Sequence, residues 1–196
     1  MGKVIFHTSV SLDGYVAGPN DEVDQVFAWY TSGDMDFRYP GDGMQFKVSR
    51  QSAAYLLKGS QTIGAVVTGR RTFDLAQAWA GAPPLGAHHF VVTHHIPAEW
   101  DRPGSPFTFV TDGVESAIRQ AKAYAGDRDV ALSTASVLQQ ALKAGLVDRI
   151  QLDLAAVLLG KGVRLFDPEQ TPPLSLEILE VVQGFGVTHL SYQVNR

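Results

Sequence analysis

Cysteine is absent from the 196 residues of this chain, and with it go disulfides, thiolate metal centres, a cysteine nucleophile and iron–sulfur ligation. That usage fits a reducing cytosol. A surplus of positive charge is also lacking. Sixteen basic against 20 acidic residues leave a formal net charge of -4, so no broad field draws the chain onto DNA, RNA or an anionic membrane. No basic stripe interleaves with aromatics, which argues against a nucleic-acid module. Any anion site must therefore be local. No apolar run approaches the ~18 residues of a membrane span. The start, Met1-Gly2-Lys3-Val4-Ile5-Phe6-His7, turns polar too soon for a secretory signal. Internal repeats and low-complexity linkers are missing as well. The expectation is a cytoplasmic protein with a single domain over residues 1–196, a length that suits one full core and is short for two.

What is present is concentrated in one segment. Ala65-Val66-Val67-Thr68 reads as a buried strand that stops at Gly69 and is followed at once by Arg70, Arg71 and Thr72. Glycine allows close approach of a ligand to the backbone, the first turn of a following helix offers unpaired N–H groups, and a guanidinium adds charged donors. Together these make a phosphate site. A strand, a turn and two solvated arginines is the competing reading.

The rest of the chain alternates strand and helix signals. Lys3 to Ser9 reads as the first strand, followed by a glycine-punctuated loop with a short strand at Tyr15-Val16. From Asp21 to Gln45 the sequence is irregular yet carries Phe27, Trp29, Tyr30, Phe37 and Tyr39, with Phe46 just beyond. Those aromatics either build a pocket for a flat ring or pack the insertion against the sheet or a dimer seam. Helical spacing is expected from Phe46 to Leu57 and from Thr72 to Trp79. Further strands are expected at Phe90–Thr93, Phe107–Val110, Val130–Leu132 and Ile150–Leu154, with helices at Gly113–Tyr124 and Ala135–Ala144. Leu176–Val182 and Gly186–Val194 read as two antiparallel strands. This order predicts an α/β domain with a mostly parallel central sheet, an antiparallel C-terminal edge and flanking helices.

In such a sheet ligands lie beyond the carboxyl ends of the strands. The residues there are Asp13-Gly14, Gly69-Arg70-Arg71-Thr72, Thr93-His94-His95 and Ser133-Thr134-Ala135-Ser136. Taken with Ser11-Leu12-Asp13-Gly14, Val67 to Phe73, Ala144-Gly145-Leu146-Val147-Asp148 and Leu158-Leu159-Gly160-Lys161-Gly162-Val163-Arg164-Leu165-Phe166, the chain resembles the dihydrofolate reductase-like family. More narrowly, it resembles stand-alone relatives of the C-terminal reductase domain of the bifunctional riboflavin-biosynthesis deaminase-reductase. The Gly160 to Phe166 motif is assigned mainly to structure, as a turn between buried segments.

The resemblance implies a dihydrofolate reductase-like fold, NADPH as hydride donor, reduction of a small heterocyclic or carbonyl-bearing molecule, and a homodimer. The nearest named activity is 5-amino-6-(5-phosphoribosylamino)uracil reductase. Gly69, Arg70, Arg71 and Thr72 match the segment that receives the cofactor's phosphates. Thr93 and His94 match a position near the adenosine 2′-phosphate, while Val16 and Ala17 match a loop over the nicotinamide. A guanidinium beside a dianionic 2′-phosphate favours NADPH over NADH. The competing reading of His94 and His95 is a surface pair before a proline.

Asp13 matches the acidic residue near substrate and nicotinamide. There it would anchor a substrate N–H or help deliver a proton, its pKa raised by partial burial, or else it caps an Asp-Gly turn. At Ser133-Thr134 the chain departs from the family's usual Gly-Gly. Either the hydroxyls of Ser133, Thr134 and Ser136, beside Ala135, bond the pyrophosphate, or a β-branched residue narrows the site until the cofactor fails to bind. The second case describes a non-catalytic nucleotide- or flavin-binding protein. The family's zinc deaminase chemistry is excluded for this chain, since it needs cysteine ligands.

Overall fold

The computed structural model describes residues 2–39, 45–169, 171 and 173–195. The first strand, β1 (Val4–Ser11), leads into the short β2 (Tyr15–Ala17). The aromatic insertion follows, with a 3-10 turn at Ala28–Thr31 and a hairpin of β3 (Met35–Phe37) and β4 (Phe46–Val48). Its residues 40–44 lie outside the described residues. Helix α1 (Arg50–Ser60) leads to β5 (Ile63–Gly69), and α2 (Arg70–Leu75) to β6 (His88–Val92) and β7 (Phe107–Val110). Next come α3 (Val114–Ala125), β8 (Asp129–Leu132), α4 (Ala135–Lys143) and β9 (Arg149–Ala155). A two-residue β10 (Val163–Arg164) pairs with β2, and the hairpin of β11 (Ser175–Gln183) and β12 (Val187–Asn195) closes the chain.

Eight strands form one sheet in the order β11-β12-β9-β1-β8-β5-β6-β7. From β9 to β7 the neighbours are parallel, and β12 and β11 add an antiparallel edge, as the sequence predicts. The two-residue period of a strand sorts the faces. Val4, Phe6 and Val10 of β1 join Val67, Leu132 and Ile150 in a core covered by α3 and α4. The alternate residues of β1 turn to the opposite face. There Val26, Trp29, Phe37 and Val48 of the insertion join Tyr55 and Leu56 of α1 over Ala155 and Val187. The insertion is thus packing against the sheet, not open wall.

Two helix boundaries differ from the sequence expectation. The apolar spacing from Phe46 begins as strand β4, and the helix starts only after Ser49, whose hydroxyl accepts the N–H of Ser52 at 3.1 Å as an N-cap. The expected helix to Trp79 covers Arg70–Leu75 and then gives way to a left-handed turn, with Gln77, Ala78, Trp79 and Ala80 all near φ +50°. Burial of Ala78 and ring contacts of Trp79 with Phe73, His89 and Phe107 hold that turn against its intrinsic strain.

The β2–β10 contact requires glycine at one point. A Cβ on Gly162 would stand 2.0 Å from the carbonyl oxygen of Ala17. Gly162→Ala is therefore expected to lower unfolding stability by about 2 kcal/mol or more through a backbone clash. Gly104, at φ +80° in open space, should cost only about 1 kcal/mol when changed to alanine. Urea denaturation of the two variants tests the contrast, and equal losses would refute it.

Candidate functional site at the strand ends

The parallel strands β1, β8 and β5 deliver their carboxyl ends to one rim. The chain leaves β1 for β5, runs outward to β7 and returns to insert β8 between them, which makes this the switch point where ligands collect. Gly69 ends β5 and Thr134 precedes α4, and the two meet. A Cβ on Gly69 would lie 3.3 Å from Thr134 Oγ1 and 3.7 Å from Ser136 Oγ. Gly69 itself has ordinary extended backbone (φ -89°, ψ 155°), so its glycine serves room and not conformation. Thr134 is extended too (φ -128°, ψ 145°), a conformation that suits a β-branched residue. The Thr134 side chain is thus accommodated within the protein beside Gly69.

Thr134 is the N-cap of α4, yet its side chain caps nothing, and its buried Oγ1 has no hydrogen-bond partner among the described residues. Ser133 N–H donates to Val67 O at 3.2 Å, Ala135 is buried and Ser136 is exposed. A free hydroxyl beside the leading N–H groups of α4 is a donor set for a pyrophosphate. Arg70 lies at the same rim. Its Nε donates to Asp74 Oδ1 at 2.7 Å and its NH1 to His95 O at 2.8 Å, an oxygen that also accepts the Thr93 hydroxyl at 2.8 Å. Arg70, Thr93 and the exposed His94 are thereby gathered at one turn. Arg71 is engaged elsewhere, with Asp21 at 2.5 and 2.9 Å, and Thr72 is half-buried in the first turn of α2.

Asp13 departs from expectation in its charge. Its carboxylate accepts the Ser11 hydroxyl at 2.6 Å and the N–H groups of Leu159 at 3.1 Å and Gly160 at 2.6 Å. The Ser11 bond first, then those backbone donors, hold its pKa down at about 2 from an ordinary 3.8, where the sequence reading raised it. Asp13 is an ionised acceptor at neutral pH and not a proton source. It locks the Ser-Leu-Asp-Gly motif to the Leu-Leu-Gly-Lys-Gly motif, helped by Leu12 N–H to Val157 O and Leu165 N–H to Gly14 O, both 2.9 Å. Val16 and Ala17 sit inside this lock, Ala17 buried and Val16 against the main core.

A second polar group was missed from the sequence. Asp153, 1% exposed, accepts from His7 Nε2 at 2.9 Å and from His189 Nδ1 at 2.7 Å. His189 Nε2 meets Ser52 Oγ at 2.8 Å, and the Ser49 hydroxyl donates to Ser52 Oγ at 3.0 Å. Trp29 Nε1–H donates to the neighbouring Ser9 hydroxyl at 3.0 Å. Burial pushes both Asp153 and His7 toward their neutral forms. The mutual charge and hydrogen bond outweigh it, so the Asp153 pKa is lowered and the His7 pKa raised. The available signal was polar alternation in β1 at His7, Ser9 and Ser11. The partner of His7, Asp153, lies 146 positions away in sequence.

His7 also opens onto the rim. Phe6 is level with Leu132, and Leu132 with Val67, so His7, Ser133 and Thr68 fall in one row on the face away from the main core. On that face the insertion cluster ends at β9, and the cluster around Phe73 and Val91 covers β6. The polar row lies between them. His7 keeps 30% of its side chain exposed.

Replacing the Asp13 carboxylate tests the lock. A depressed pKa contributes stability above the unfolded value of 3.8 that is lost as pH falls toward about 2. Asp13→Asn is expected to unfold more easily than the parent at neutral pH, with the difference closing across that acid window, as followed by urea denaturation at stepped pH. A difference independent of pH would refute the ionised lock.

Comparison with known proteins adds the following. Residues 2–189 match the family described as RibD C-terminal domain. A Shewanella sp. PV-4 protein assigned to riboflavin biosynthesis shares 20% identity over 99% of both chains, with a TM-score of 0.76. The Thermotoga maritima diaminohydroxyphosphoribosylaminopyrimidine deaminase/5-amino-6-(5-phosphoribosylamino)uracil reductase shares 12% over 99% of this chain and 57% of its own, with a TM-score of 0.64. Saccharomyces cerevisiae riboflavin biosynthesis reductase Rib7 shares 12% over 99% of this chain and 90% of its own, with a TM-score of 0.60. At such identities the likeness is one of fold, and this chain spans just over half of the Thermotoga protein. No curated protein matches the chain. Among the described residues no helix is long and apolar enough to cross a membrane, and no cluster suited to a metal ion occurs.

Proposed function

The chain belongs to the RibD C-terminal domain family, and from that premise we propose that it is an NADPH-dependent reductase of a small heterocyclic or carbonyl-bearing molecule. The nearest named activity is 5-amino-6-(5-phosphoribosylamino)uracil reductase. The observation that carries the reading is the orphaned Thr134 hydroxyl at the start of α4, facing the space that Gly69 leaves without a side chain. A buried hydroxyl without a partner is costly unless a ligand satisfies it. Bound there, the nicotinamide nucleotide would supply the hydride, and the protein supplies orientation and electrostatics. Thr134, Ser136 and the leading amides of α4 would hold the pyrophosphate. Arg70, beside Thr93 and His94, would take the 2′-phosphate by exchanging its bond to Asp74 for a charge-assisted one. Val16 and Ala17, fixed by the Asp13 lock, would flank the nicotinamide.

A second reading has its own support. Ser133-Thr134, standing where the resemblance expects paired glycines, favours a nucleotide- or flavin-binding protein that keeps the fold without hydride transfer, and Arg70 and Arg71 already hold Asp74 and Asp21. Calorimetric titration separates the two. The reductase reading expects micromolar NADPH binding, at least about tenfold tighter than NADH. Arg70→Ala should erase that preference, and Thr134→Val should weaken both nucleotides by about tenfold, the worth of one charged-group hydrogen bond. Binding of neither nucleotide by the parent protein would refute it.

We further propose that the protein is a homodimer through β11. This edge strand exposes apolar side chains, Ile178 at 65% and Val181 at 56%, where soluble edges normally carry charge or cover. Light scattering should give twice the 21.2 kDa chain mass for the parent and one chain mass for Ile178→Lys combined with Val181→Lys. A monomeric parent would refute the dimer.

A further inference from the structure

We propose that His7 is the proton donor of the reduction, held for that task by Asp153, with His189 and Ser52 as positioning residues. The inference deepens the reductase reading and rests on it. Reducing a C=N or C=O bond places a hydride on carbon and requires a proton at the heteroatom. A reduced nicotinamide bound at the strand ends would supply the hydride and be oxidised in turn. Of the strand-end residues that could supply it, Asp13 is excluded by its three donors.

His7 meets the requirement by geometry. Its Nε2 is committed to Asp153 Oδ2 at 2.9 Å, while its Nδ1 makes no hydrogen bond among the described residues. By strand register residue 7 stands level with Ser133, the neighbour of Thr134, in a polar row flanked by apolar clusters on that face. The network behind it has one consistent direction. Ser49 O–H donates to Ser52, so the Ser52 O–H is directed to His189 Nε2. His189 Nδ1–H then donates to Asp153 Oδ1. The Asp153 carboxylate, met by both rings, favours the protonated form of His7 by its charge and its hydrogen bond. Tyr55, stacked on His189 at 4.6 Å, and Trp29, edge-on at 5.2 Å, seal the buried end. The titratable groups around His7 are thus Asp153 of β9 directly, with His189 of β12 and Tyr55 of α1 behind it. In the step, the Nδ1–H bond breaks as the new N–H or O–H bond forms, and neutral His7 keeps its Nε2–H on Asp153 until solvent reprotonates it.

The test joins two readouts on the full chain. In ligand-free protein, histidine-selective NMR titration should show a His7 resonance, identified by its loss in His7→Asn, with a midpoint above 6.5 that is displaced downward in Asp153→Asn. A parent midpoint at or below 6.5 overturns the proposal whether or not either variant folds. In turnover, NADPH with 5-amino-6-(5-phosphoribosylamino)uracil is the probe. The parent kcat should fall as pH rises through the NMR midpoint. His7→Asn should lose about 10²–10³-fold in kcat together with that pH limb, and keep NADPH affinity within about twofold. A His7→Asn protein with parental kcat and pH profile overturns the proposal and leaves the reductase reading standing. A parent that fails to bind NADPH, or to oxidise it with this probe, overturns both.

Discussion

An ionised carboxylate buried at the centre of the sheet is the constraint that organises the rest of this molecule. Asp153 is 1% exposed, and removing a charge from water costs several kcal/mol unless partners compensate. Both of its oxygens are met by histidines from the flanking strands, His7 of β1 and His189 of β12. A one-residue slip in either pairing would turn the imidazole to the opposite face and strand the charge. The carboxylate therefore fixes register across three strands. It also reaches the helix layer, because His189 needs Ser52, and Ser52 with Ser49 forms the first turn of α1. The cap of one helix and the centre of the sheet are parts of a single hydrogen-bonded chain.

The strand ends are held by a different device. Asp13 joins two motifs 146 residues apart, and the join forces close approach of β2 to the 160–164 segment. Gly162 is the residue that makes the approach feasible. At the next strand end the arrangement is an exchange of volume. Gly69 gives up a side chain where Thr134 carries one, so a β-branched residue fits at this rim. The hydroxyl gained in that exchange has no internal use. A polar atom that is buried and idle is a stronger pointer to a ligand than an exposed arginine that already holds a carboxylate.

Much of the frame was legible because its parallel strands are short apolar runs ended by glycine or small polar residues, as at Val67-Thr68-Gly69 and Ala131-Leu132-Ser133. The strand-end residues were legible for the same reason, since a parallel sheet presents those positions at one rim. Local patterns failed where tertiary contacts decide. The run from Phe46 has helical spacing, yet pairing with Met35–Phe37 draws its first three residues into a strand. The left-handed turn at 77–80 contradicts the preference of each residue in it and survives through burial of Ala78 and the rings around Trp79. The charge of Asp13 was misread because the Ser11 hydroxyl two residues earlier was not counted as its donor and its further donors come from 159 and 160, and the network around Asp153 was invisible because every member looks like an ordinary strand or helix residue by itself.

The two devices divide the rim into ends with different electrostatics, and β8 joins them. At Thr134 a free hydroxyl and the start of a helix favour negative charge. At His7 an imidazole backed by a carboxylate is a site for proton exchange. Ser133 stands between them, next in register after the Phe6–Leu132 pair and adjacent to Thr134. That spacing is set by strand register and not by loop conformation. Register is held in turn by Asp153, whose charge and hydrogen bond also raise the pKa of the imidazole against its burial. One buried carboxylate thus bears both on where the rim's ionisable group sits and on how readily it keeps its proton.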